Sequence, residues 1–139
     1  MVEQIIIDTN FILTCVKQKI QMFEELEELF GVYELIVGRQ IFNELDRLKD
    51  EKELKIKERE AAEVALKLLK LKKSRIKIID FNSPCVDTGI VFYAAKKQPT
   101  KKQAIIIATL DRELKNRILR ENKGARFLAI RQGKRIVIA

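Results

Sequence analysis

Asp8 stops a run of three isoleucines, Ile5-Ile6-Ile7, and Asp111 follows a second apolar run from Ala104 to Ala108. A β-branched strand that ends on a carboxylate holds that group in a fixed position. Helix capping, worth about 1 kcal/mol, is the plain alternative for either acid. Asp111-Arg112-Glu113-Leu114 is no capping box, because the third residue on is Leu114. Asp87 shares a helical face with Ile90, Val91 and Ala94, so its carboxylate needs a partner or suffers desolvation. Glu44 falls beside Ile41 and Leu48 at the edge of an apolar stripe, whereas Asp46 points further away. Four carboxylates gathered at one rim cannot all stay ionised without a neutralising cation. Oxygen-rich sites of this kind suit Mg²⁺ or Mn²⁺, ions that orient an attacking water and stabilise the leaving oxygen of a phosphodiester.

The rest of the composition narrows the chemistry. The chain of 139 residues has no histidine, which removes an imidazole base, a Ser-His-Asp triad and a Cys/His zinc site. Ser74 and Ser83 lie outside any nucleophile-elbow setting, and the five glycines form no phosphate-binding loop. Cys15 and Cys85 lack metal-type spacing and read as small core residues of a reducing compartment. With 47% hydrophobic residues and no long apolar run, the expectation is one soluble, cytoplasmic domain over residues 1–139, without a membrane partner. The net charge of +8 is uneven: residues 101–139 carry 11 basic and 3 acidic side chains, whereas residues 1–50 carry 5 and 10. A basic half favours a polyanion such as nucleic acid, although a Lys/Glu-rich solubility bias accounts for charge equally well.

The elements that must carry these acids alternate. Strands are expected at 4–8, 33–38, 76–81 and 104–109, with two short ones around Gln132-Gly133. Helices are expected at 11–17, at 20–30 with Met22, Phe23, Leu26, Leu29 and Phe30 on one side, at 39–48, at 51–73 and at 111–122. A further helix opens in "SPCVDTGIVFYAAKK", with Ser83 as N-cap and Pro84 at the first helical position. Such alternation calls for an α/β fold, a central, mostly parallel sheet covered by helices on both faces. Ligands of these sheets bind beyond the carboxyl ends of the strands, where Asp8 and Asp111 stand.

The segments "IIIDTNF", "IFNELDRL", "VDTGIVFYA" and "IIIATLDRELKNRI" resemble, in order and spacing, the PIN-domain nuclease superfamily. "DTNF", "ATLDRELKNRIL" and the "KRIVI" ending look most like its branch linked to ribosomal RNA processing, in compact archaeal-like form. The resemblance implies a Rossmann-like three-layer fold and metal-dependent endoribonuclease activity on single-stranded or loop RNA, ribosomal RNA or its precursor. It makes Asp8, Glu44, Asp87 and Asp111 the catalytic, metal-binding acids, and gives Thr9, Asn10 and Thr109 supporting roles. Leu110 departs from the polar residue that many members carry there.

RNA would approach over positive surface. Arg112, Lys115, Arg120 and Lys123 fall within an arc of roughly 140° on a regular helix. A second cluster, Lys67, Lys70, Lys72, Lys73, Arg75 and Lys77, reads as well as a snorkelling helix end. Three other readings stand beside the nuclease: a non-cleaving RNA-binding or ribosome-assembly factor, a toxin ribonuclease with an inhibitor protein, and a receiver-like phosphoacceptor domain. The tail strands and exposed apolar residues also suit a homodimer.

Overall fold

The computed structural model describes residues 3–96, 105–132 and 134–139. Six strands form one sheet in the order β3-β2-β1-β4-β5-β6: β1 is Glu3–Ile7, β2 Tyr33–Gly38, β3 Ile76–Ile79, β4 Ile106–Ala108, β5 Arg126–Arg131 and β6 Arg135–Ile138. The first five are parallel, and β6 returns antiparallel along β5. Ile5, Ile6 and Ile7 are all fully buried in β1. An unbroken apolar run is what a central parallel strand, covered on both faces, requires.

Helices α1 (Thr9–Lys17), α2 (Met22–Phe30), α3 (Arg39–Lys49) and α4 (Ile56–Leu71) serve the crossovers that step from β1 to β3. Helices α5 (Val86–Lys96) and α6 (Arg112–Glu121) serve those that step the other way, from β3 over to β4 and on to β5. Right-handed crossovers in opposite directions put the two groups on opposite faces. Accordingly α4 packs on α1 and α3, and α5 packs on α6. The direction reverses at β1, whose neighbours are β2 and β4, so the ends of β1 and β4 flank the topological switch point.

Several boundaries differ from the sequence reading, each for a local reason. Helix α4 starts at Ile56 rather than 51, because 51–55 offers little apolar surface beyond Leu54 and has no packing to hold a helical turn. Helix α5 starts at Val86 rather than at Pro84. Asp80 Oδ1 accepts the Asn82 N–H at 2.8 Å and Ser83 Oγ accepts the Cys85 N–H at 3.3 Å, so the 80–85 loop closes on its own side chains. Cys85 therefore stands on an exposed loop, while Cys15 is buried as expected. Leu29 is also exposed, on the outer side of α2. Ala104, Lys97 and Gly133, which the sequence reading assigned to a strand, a helix and a turn, lie outside the described residues. No helix among the described residues is long and apolar enough to cross a membrane.

Phe81 sets the spacing of the two helices that matter most for the acids. A Cβ on Gly38, at the end of β2, would collide with the Phe81 ring, and one on Gly89, inside α5, would collide with its Cβ and ring. The ring is thus wedged between the start of α3 and the first turns of α5. Only residues without a side chain allow that approach.

Candidate active site

Asp8 leaves the end of β1 and occupies the N-cap position of α1, but its side chain makes no cap hydrogen bond. Its carboxylate, 3% exposed, instead accepts the Thr109 hydroxyl at 2.8 Å. Burial pushes its pKa up to about 6, the negative charges of Asp87 and Glu44 push in the same direction, and the Thr109 hydroxyl and the Thr9 backbone amide pull it down. Among the described residues, the charged groups that act most on this carboxylate are acids.

Thr109 lies just past β4 and is fully buried. Besides donating to Asp8, its Oγ1 accepts the backbone N–H of Asp111 at 3.1 Å. Asp111 is the N-cap of α6, and its Oδ1 accepts the Leu114 N–H at 3.1 Å. The capping alternative therefore holds for Asp111 and fails for the Asp8 side chain. One Asp111 oxygen is tied to the helix.

Glu44 reaches the same rim from α3. Its Oε2 accepts the Thr9 hydroxyl at 3.0 Å, and Thr9 itself is 3% exposed. Asp87 comes from the first turn of α5 and is half-buried. Its pKa is raised by burial and by the negative charge of Asp111, against the opposing charge of Arg117. Glu44 and Asp87 line one cavity of about 570 Å³. Asn10, by contrast, is exposed on α1. Leu110 is 38% exposed.

Among the described residues, no three carboxylate or thiol side chains stand close enough together to form a ready-made cation cage. The donor chemistry nonetheless fits a hard divalent ion. Buried Asp8 feels the negative charge of Glu44 and Asp87, and carboxylate oxygens are the ligands such ions take. Asp8, Glu44, Asp87 and Asp111 are the residues that would hold it.

Arg117 is the residue that sequence reasoning missed. Its Nη2 donates to Thr88 Oγ1 at 3.3 Å, across the α5–α6 contact and one residue from Asp87. A signal existed: Arg117 lies on the α6 flank shared with buried Leu114 and Ile118, and an arginine there needs an anionic neighbour.

The expected basic arc on α6 divides in space. Arg112 adjoins the acids at the helix start, whereas Arg120 lies about 12 Å further along the axis, with Lys123 beyond it. Lys115 folds back so that Nζ stands 5.9 Å from the Phe127 ring centroid. In the second cluster, Lys67 pairs with Glu63 at 3.3 Å and Arg75 with Glu27 at 3.4 Å, while Lys72 stands 5.8 Å from the Phe23 ring centroid. Half of that cluster is thus engaged by side chains of the chain itself.

The PIN-like domain family matches this chain over residues 5–133. A protein named ribonuclease VapC4, from Methanocaldococcus jannaschii, is 32% identical over 120 residues, spanning 86% of this chain and 85% of its own length. The solved structure of the PIN domain endonuclease Utp24 superposes with a TM-score of 0.73 at 25% identity, covering 97% of this chain and 90% of that one.

Proposed function

The chain belongs to the PIN-like domain family, and from that premise we propose that it is an endoribonuclease that hydrolyses single-stranded or loop RNA with Mg²⁺ or Mn²⁺. The observation that carries the reading is the Asp8 carboxylate. It is buried at the end of β1, is tied to β4 through Thr109, and the charged groups that act on it most among the described residues are Asp87 and Glu44. Folding alone gives no reason to bury a charge there, because an apolar residue would cost less.

Each residue has a task in this account. Thr109 fixes one oxygen of Asp8 and the backbone of Asp111, and Thr9 fixes one oxygen of Glu44. The remaining carboxylate oxygens are left to face a cation. Asp8, Glu44, Asp87 and Asp111 would hold a divalent ion there, which when bound would supply water activation and charge neutralisation at the phosphodiester. Asp8 must be ionised to serve, so its pKa of about 6 leaves it mostly deprotonated at neutral pH. Arg117 holds the opposing charge at Asp87, and Arg112 meets phosphate near the acids. Ribosomal RNA or its precursor, rich in loops, is the substrate class we assign.

The test is cleavage of a labelled, structured RNA in Mn²⁺, Mg²⁺ or EDTA, with Asp8→Asn and Asp111→Asn beside the wild type at equal RNA occupancy. Cuts that need metal and vanish in both variants support the nuclease. RNA binding without such cuts gives the lead to a non-cleaving binding factor.

A further inference from the structure

The cavity shared by Glu44 and Asp87 has a wall that the acids do not account for. Gln40, Asn43, Glu44 and Arg47 line it from α3, at helical spacings i, i+3, i+4 and i+7 that form one stripe. Cys85 and Val86 line it from the start of α5. Two of the four polar groups on the stripe are committed. Gln40 donates to Asp80 Oδ1 at 2.9 Å and accepts the Phe81 N–H at 3.4 Å, so both ends of its amide are used. Glu44 is held by Thr9.

Asn43 and Arg47 are different. Asn43 is exposed, and none of the described residues pairs with its amide. Arg47 is exposed and meets Glu51, just past the end of α3, at 3.6 Å, a surface pair of a kind that costs little to break. A free donor–acceptor edge thus stands beside an acid of the site, faces the side chains of Cys85 and Val86, and has an arginine one turn away. An unstacked base is recognised in this way, by hydrogen bonds to its edge and contact on its face.

We infer that this cavity receives the nucleobase adjoining the cleaved phosphate, with the Asn43 amide pairing to the base edge and Arg47 meeting the phosphate of the same nucleotide. The inference rests on the nuclease reading for what is bound. It adds a specificity-determining residue, Asn43, and a phosphate-positioning residue, Arg47. Gln40, locked by Asp80 and Phe81, keeps the wall rigid.

The experiment reads binding rather than cleavage, so that it does not depend on turnover. Fluorescent single-stranded RNA decamers, differing at one position per set, are titrated against the full chain carrying Asp8→Asn, alone and with Asn43→Ala or Arg47→Ala. Expected is a preference for one base at one position of about tenfold, abolished by Asn43→Ala. Arg47→Ala weakens all sequences about equally and lowers the salt slope by about 1. A preference that survives Asn43→Ala, the lack of any preferred base, or the absence of RNA binding overturns the inference. Failure of the nuclease reading shows separately, as wild-type protein that makes no metal-dependent cuts while the base preference and its loss in Asn43→Ala persist.

Discussion

Thr109 donates its hydroxyl to Asp8 across 2.8 Å and thereby joins the ends of two adjacent strands, β1 and β4. The same oxygen accepts the amide of Asp111, so one buried hydroxyl sets the position of one acid and the backbone of another. Thr109→Val keeps the shape and removes both bonds. It should cost about 1–3 kcal/mol in urea unfolding, as expected for leaving buried polar groups unpaired. It should also raise the Asp8 pKa further and move the acid limb of the activity profile to higher pH. Thr109→Ser should restore both.

Asp8 also makes stability depend on pH. Its folded pKa of about 6 exceeds the ordinary value of 3.8, so the unfolded chain releases this proton first. The stability associated with protonated Asp8 is present in full below about pH 4 and is lost as pH rises through about 6. By pH 7 the loss approaches about 3 kcal/mol, since each tenfold difference in proton affinity between the folded and unfolded chain is worth about 1.4 kcal/mol. Metal-free Asp8→Asn should therefore be more stable than wild type at pH 7, and equal to it near pH 4. Chemical unfolding in EDTA at the two pH values checks this. Added Mn²⁺ should then stabilise wild type alone.

Gly89 offers a test of how the site is spaced. Alanine in place of glycine within a helix normally gains roughly 1 kcal/mol. Here the added Cβ meets Phe81, so Gly89→Ala should instead destabilise by about 1–3 kcal/mol. Because the clash pushes α5 away from α3, cleavage should fall as well. Phe81→Leu in the same chain should leave both losses in place, because leucine keeps the Cβ and Cγ that the added methyl meets; urea unfolding and cleavage rate read both.

Arg117 answers to a simpler prediction. Arg117→Gln removes the cation that opposes burial and Asp111 at Asp87, so the Asp87 pKa rises further. Activity should fall most at low pH and recover as pH increases, whereas Arg117→Lys should stay closer to wild type. A pH–rate profile of the three proteins distinguishes this from a uniform loss of folding.

The strands are the most legible part of the sequence. Ile5–Ile7 and Leu35–Val37 are buried wherever the chain puts them, and an apolar β-branched run has few other uses. Asp8 and Asp111 are legible in position, because a carboxylate at or just past such a run has a fixed address. The partners of the acids are not. The Thr9–Glu44 and Thr109–Asp8 bonds join residues 35 and 101 positions apart, and local spacing carries no trace of them. The start of α5 differs from expectation although the Ser83 hydroxyl takes the Cys85 amide as a cap would, because the helical bonding begins only with Gly89 N–H to the Cys85 carbonyl. Cys85 leaves the core with the 80–85 loop. Arg117 is hidden for another reason: the basic arc that spacing brings out lies on the outer face of α6, and this arginine sits on the inner flank.

The most direct test of the central claim measures Mn²⁺ affinity and single-turnover RNA cleavage on the same proteins: wild type and the carboxamide variants of Asp8, Glu44, Asp87 and Asp111. If the four acids serve one metal-dependent nuclease, wild type binds Mn²⁺, every variant binds it more weakly, and cleavage falls in step with affinity. Cleavage that persists in Asp8→Asn, or a wild type that binds Mn²⁺ no better than Asp8→Asn, would contradict the account.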